Sequence, residues 1–145
     1  MIDSICAYTS ACGEDSFWVP QYLAEAERIG ARFAMHLDRC PEDVKRLVRG
    51  HPLCLGTTEN NDPQRDFSEK DRETVFRMCE HTGAGWALNW DIDETWETKA
   101  PEKLKHLTGT HPHYDLIRAV YLQLWGHPKF IRSDRDWLTR HRDKL

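Results

Sequence analysis

Short apolar runs alternate with segments of helical period along most of this chain, and that alternation limits the folds open to it. Residues 4–9 read as a first strand, followed by a polar loop over 10–16 that contains Gly13. Pro20 suits the first turn of a helix. Val19, Tyr22, Leu23, Ala26 and Ile29 recur at helical spacing, and Gly30 fits the position just past its end. Residues 33–37 form a second apolar run that ends in Asp38. Pro41, Glu42 and Asp43 open a second helix, with acids where the helix dipole favours them. Val44, Leu47 and Val48 give that helix one apolar stripe, Lys45, Arg46 and Arg49 lie towards its end, and Gly50 closes it. Residues 52–56 read as a short third strand and 57–66 as a loop rich in Asn, Asp and Pro. Ser68 with Asp71 makes a capping-box start for a third helix. Val75, Phe76 and Cys79 form its buried side, and Gly83 ends it.

The next stretch carries chemistry. Residues 86–90 are mostly apolar, follow Gly83 and Gly85, and run straight into Asp91, Asp93 and Glu94. An apolar run in that setting reads as a buried strand with acids at its carboxyl end. Ligands of open α/β sheets bind at the carboxyl ends of strands. On a still-extended backbone Asp91 and Asp93 share a face. Two carboxylates so placed repel each other unless a proton or a cation lies between them. Hard divalent cations take oxygen ligands and are commonly shared with substrate phosphates.

Beyond the acids, residues 101–107 read as one or two helical turns with Leu104 and Leu107 inward. Residues 114–125 and 130–132 read as a hairpin about Gly126-His127-Pro128, and 133–145 as a charged tail. The expected architecture is an α/β, three-layer α/β/α sandwich. Its sheet is mostly parallel, with a C-terminal antiparallel hairpin. The 145 residues suit a single domain spanning 1–145.

Charge and cysteines narrow the function classes. The formal net charge of -4 gives no electrostatic reason to expect a nucleic-acid binder. No apolar run approaches the roughly 20 residues of a membrane span, and Asp3 near the start leaves no basic leader. The five cysteines, Cys6, Cys12, Cys40, Cys54 and Cys79, are odd in number and lack metal-ligand spacing. They read as free thiols, and the chain as cytoplasmic.

Three segments, in order and spacing, resemble the nucleotide-sugar-binding part of a GT-A fold glycosyltransferase, family 2-like. Ala7-Tyr8-Thr9 precedes an acidic loop with Glu14 and a helix through Trp18-Val19-Pro20-Gln21-Tyr22-Leu23. Gly30-Ala31-Arg32-Phe33 leads to Leu37-Asp38, and Trp90-Asp91-Ile92-Asp93-Glu94 is similar to that family's Asp-x-Asp-Glu signature. The resemblance covers roughly residues 4–132. It implies a Rossmann-like GT-A core and transfer of a sugar from a nucleotide-diphosphate sugar, a UDP-sugar first, with Mn2+ or Mg2+. It implies that Thr9, Glu14 and Asp38 bind the nucleotide sugar. Asp91 and Asp93 would hold ribose, sugar and metal, with Asp93 the more direct ligand. Glu94 would bind the sugar or orient its neighbours.

The chain departs from the family after the hairpin, where a catalytic base, a late metal-binding His and an acceptor site are usual. Asp134 and Asp136 are the candidate bases, and His111 and His113, flanking Pro112, are the candidate metal histidines, His113 first. The acceptor stays open among glycan, protein, lipid and nucleic acid. Two other readings stand beside this one. Asp91-Ile92-Asp93-Glu94-Thr95 also fits the Asp-x-Asp-x-Thr motif of haloacid-dehalogenase-like phosphohydrolases. There Asp91 is a nucleophile and Asp93 a general acid/base. The third reading is a non-catalytic nucleotide-binding module.

Overall fold

The structure, a computed structural model, describes residues 5–64 and 68–110. Strand β1 (Ile5–Cys12) leads through a 3-10 helix (Gly13–Trp18) into α1 (Val19–Ile29). There follow β2 (Arg32–Asp38), α2 (Glu42–Arg49), β3 (Cys54–Asn60), α3 (Glu69–Glu80), β4 (Trp86–Asn89) and α4 (Ala100–Thr110). The strands form one sheet in the order β3-β2-β1-β4, and every pairing among the described strands is parallel. The hairpin expected over 114–132 lies outside the described residues.

Helices cover both faces of the sheet. Ile5, Ala7 and Ala11 of β1 and Phe33, Met35 and Leu37 of β2 point to one face. There they pack with Val19, Tyr22, Leu23, Ala26 and Ile29 of α1 and with Val48 of α2, and Leu104 of α4 packs on the same cluster. The opposite face is smaller. Val75 and Cys79 of α3 cover Cys6 and Ala34, with Tyr8, Leu55 and Met78 at the margin. All five apolar positions expected on α1 are buried. The helix stops at Gly30, whose φ of 75° suits a residue without Cβ. The capping box at Ser68 is formed in both directions with Asp71.

β4, expected as a buried strand, lies at the edge of the described sheet, with Trp86 and Leu88 half-buried and Ala87 and Asn89 exposed, because only β1 pairs with it among the described strands. Four further features differ from the expectations. β1 continues to Cys12 because its polar end still pairs with β2, Ser10 beside His36 and Cys12 beside Asp38. Gly13 then passes so close to Arg39 that a Cβ there would meet the Arg39 carbonyl oxygen at 2.5 Å. β3 starts at Cys54 and runs through Thr57, Thr58, Glu59 and Asn60, residues expected in a loop. Backbone pairing with β2 holds them, not apolar burial: Thr58 lies beside His36 and Asn60 beside Asp38.

On α2, Leu47 is 46% exposed while Lys45 is buried. The helix turns Val44, Lys45 and Val48 to the body of the protein. The Lys45 ammonium reaches Glu42 (2.8 Å), Glu59 (3.0 Å) and the Asn61 side-chain oxygen (2.8 Å). A buried ammonium with three oxygen partners is compensated; an unpaired one is costly.

The fourth difference corrects the expectation of five free thiols. Cys6 and Cys79 form a disulfide between β1 and the last turn of α3, 73 residues apart in sequence. Cys12, Cys40 and Cys54 are free. Pairing follows from α3 lying across β1, which no cysteine spacing reveals. Intact mass of the unreduced protein should be lower than that of the reduced protein by two hydrogens. Reduction should cost about 2–4 kcal/mol of unfolding free energy. Alkylation of all five cysteines without reductant would contradict this pairing.

Candidate functional site

The chain steps from β1 to β2 to β3 in one direction and then returns to place β4 on the other side of β1. The order of strands therefore reverses between β1 and β4. In open parallel sheets that switch point leaves a crevice at the carboxyl ends, where ligands bind. Asp91, Asp93 and Glu94 follow β4 at that end.

Two tryptophans hold the acidic segment. Trp90 is fully buried, its backbone N–H reaches the Tyr8 carbonyl (3.4 Å), and its ring packs on Tyr22 and Trp96 with centroids 4.5 and 6.0 Å away. Its indole N–H donates to the Glu94 carbonyl (3.1 Å). Residues 91–94 then form a turn, not the extended segment expected: the Glu94 N–H donates to the Asp91 carbonyl (3.2 Å). The Glu94 carboxylate accepts the Asp91 N–H (3.2 Å). Asp91 and Asp93 are exposed corner residues, while Ile92 between them is buried. Asp and neighbouring polar residues favour such corners because they tolerate turn geometry and bond locally.

Asp38 ends β2 and is 2% exposed. Its carboxylate accepts from the Asn60 side-chain amide (2.9 Å) and from two nitrogens of Arg39 (3.1 and 2.7 Å). Arg39 has a φ of 52°, uncommon for a residue with a Cβ. Such strain gathers at functional edges of folds. Thr9, in contrast, points to the α1 face beside Met35, is 4% exposed, and its hydroxyl has no hydrogen-bond partner. The structure thus sets Thr9 and Asp38 on opposite faces of the sheet. Glu14 is exposed on the 3-10 helix after β1. His111, His113, Asp134 and Asp136 lie outside the described residues.

The α3 face of the carboxyl edge is more polar than the sequence suggested. His36, Asp38, Thr58 and Asn60 lie on it, and the His36 Nδ1 is 2.8 Å from the Thr58 hydroxyl. A cleft of about 520 Å³ opens beside Tyr8, lined also by Ser68, Glu69, Arg72, Glu73 and Phe76 of α3 and its cap. Tyr8 and Phe76 meet edge to face at 5.4 Å. The signals for these missed residues were faint: His36 is one polar residue inside an apolar run, and Arg72 one cation on a charged helix.

Downstream of the acids, α1 grips the chain. Glu25 and Arg28 form a bidentate ion pair with distances of 3.0 and 2.7 Å. The pair holds the Glu25 carboxyl below its ordinary range, chiefly through the Arg28 hydrogen bond and further through the Trp96 N–H. A depressed folded-state value stabilises the fold fully above the ordinary carboxylate range, and the contribution is lost as pH falls through the folded value. Acid titration should therefore loosen residues 96–98 late, below the range of the exposed acids. Tryptophan fluorescence would follow the step, and Glu25→Gln should remove it.

Among the described residues, no group of three or more His, Cys, Asp or Glu side chains converges on a single point. Mg2+ and similar ions commonly use one or two carboxylates and complete their shell with water and substrate phosphates. The exposed Asp91 and Asp93 carboxylates fit that pattern. No helix among the described residues is long and apolar enough to cross a membrane. Neither a protein-family model, nor a curated protein, nor a solved structure matches this chain.

Proposed function

We propose that this chain is the nucleotide-sugar-binding core of a metal-dependent glycosyltransferase of GT-A type. It is a three-layer α/β/α unit that takes a nucleotide-diphosphate sugar, a UDP-sugar first. The observation that carries this reading is the exposed acidic turn at the carboxyl end of β4, beside β1, where the order of the parallel sheet reverses. The resemblance of the three sequence segments points the same way.

In this reading Asp38 meets the nucleoside from the end of β2, and Asp91 and Asp93 face ribose, sugar and diphosphate. A bound Mn2+ or Mg2+ would be held by Asp93, with Asp91 beside it, and would supply charge neutralisation for the departing diphosphate. Glu94 sets the turn: its carboxylate holds the Asp91 N–H and its carbonyl takes the Trp90 indole. Asp38 is engaged by Arg39 and Asn60, so a nucleoside binding there must share or displace these donors.

The test is thermal melting with nucleotides and metals. UDP with Mn2+ should raise the melting temperature by several degrees, and either alone by much less. No shift with any nucleoside diphosphate and divalent metal would contradict the reading.

A further inference from the structure

The acidic turn is secured from both sides, and the downstream side is held by α1. Arg28 directs its Nη2 to the Trp96 carbonyl (2.8 Å) and its Nη1 to those of Glu97 and Thr98 (both 3.4 Å). Glu25 fixes the guanidinium and also accepts the Trp96 N–H (3.2 Å). Three successive carbonyls thus converge on one cation, which a carboxylate orients. Arginine suits this task because its planar fork presents several donors at fixed angles; lysine presents a single point charge.

An exposed ion pair that served stability alone would contribute little. This one lies within a single turn of α1, but both of its members also bond the backbone of residues 96–98, 68 to 71 residues further along the sequence and just after the acids. The short route from Glu94 to Trp96 leaves the turn little freedom once both ends are tied. We propose that Glu25 and Arg28 are positioning residues that hold the Asp91–Glu94 turn in its ligand-ready shape. The proposal rests on the reading of that turn as a diphosphate and metal site.

Geometry held in advance raises affinity by cutting the ordering cost of binding. Loss of the clamp should therefore weaken binding of the diphosphate–metal end and leave the nucleoside end alone. Arg28→Ala should lower affinity for UDP with Mn2+ about tenfold and leave affinity for uridine unchanged. Arg28→Lys should recover only a small part of the loss, and Glu25→Gln should fall between. Hydrogen exchange should speed up at residues 91–98 of Arg28→Ala and stay unchanged in β1 and β2.

Calorimetric titration with UDP, UDP plus Mn2+ and uridine reads the affinities. Tight binding by the unaltered protein with equal affinity in Arg28→Ala would overturn the positioning role alone. A parallel loss of uridine affinity, or faster exchange throughout the sheet, would assign the clamp to stability and overturn the role as well. Failure of the unaltered protein to bind UDP with Mn2+ would overturn both the role and the glycosyltransferase reading.

Discussion

Asp93→Asn is expected to abolish the metal-dependent part of nucleotide-diphosphate binding while the protein stays folded. Asp93 is exposed at a corner of the 91–94 turn, so its carboxylate is available to a cation at little desolvation cost. Asn keeps the shape and suits turn corners equally well, so the backbone should not move. Exposed substitutions of this kind usually change stability by no more than about 0.5 kcal/mol. The ligand effect is larger. A ligand that binds only the folded state contributes about 2.7 kcal/mol at a hundredfold excess over its Kd. The unaltered protein should show that gain with UDP and Mn2+, and Asp93→Asn should lose nearly all of it. A phosphohydrolase would behave otherwise: Mg2+ with beryllofluoride would stabilise it, UDP would not, and Asp91→Asn would be the damaging change.

Trp90→Ala should be the most destabilising single substitution in the site region. The indole is fully buried between Tyr22 and Trp96, and its N–H satisfies the Glu94 carbonyl. Truncating a buried aromatic to alanine costs about 3–5 kcal/mol through lost burial and the cavity left behind. The freed carbonyl adds to that cost. Trp90→Phe keeps much of the volume and loses the hydrogen bond, so it should cost markedly less. Urea unfolding of the three proteins measures both steps. A loss below about 1 kcal/mol in Trp90→Ala would show that the indole is not part of the core. Because Trp90 also anchors the turn, Trp90→Ala should weaken ligand binding before it unfolds the protein.

The two substitutions separate chemistry from support. Their difference also shows what the sequence made legible. The apolar part of β1, β2 and α1 could be read because side chains carry their pattern: on α1, Val19, Tyr22, Leu23, Ala26 and Ile29 form one buried face. The end of β3 could not, because Thr57, Thr58, Glu59 and Asn60 are held by backbone pairing with β2. The stripe on α2 misled for a related reason. Leu47 is apolar but points outward, while Lys45 is buried because three oxygens surround its ammonium.

At the site, the acids after an apolar strand were legible as a feature. Their arrangement was not. Local hydrogen bonds between Asp91 and Glu94 fold the segment into a turn, and the Asp-x-Asp spacing alone does not encode that. The Arg28 clamp was invisible because its partners are main-chain carbonyls far along the sequence. The Cys6–Cys79 bond was hidden in the same way, and it leaves three free thiols among the described residues where five were expected.

The central claim is that the carboxyl edge between β1 and β4 binds a diphosphate with its metal. Paramagnetic broadening by Mn2+ in the presence of UDP tests it most directly, read on backbone amides. Amides of residues 91–94 and of the β1 end, Ser10 to Cys12, should broaden selectively, while those of α2 and the amino ends of the strands stay sharp. Broadening centred elsewhere, or none that depends on UDP, would contradict the claim.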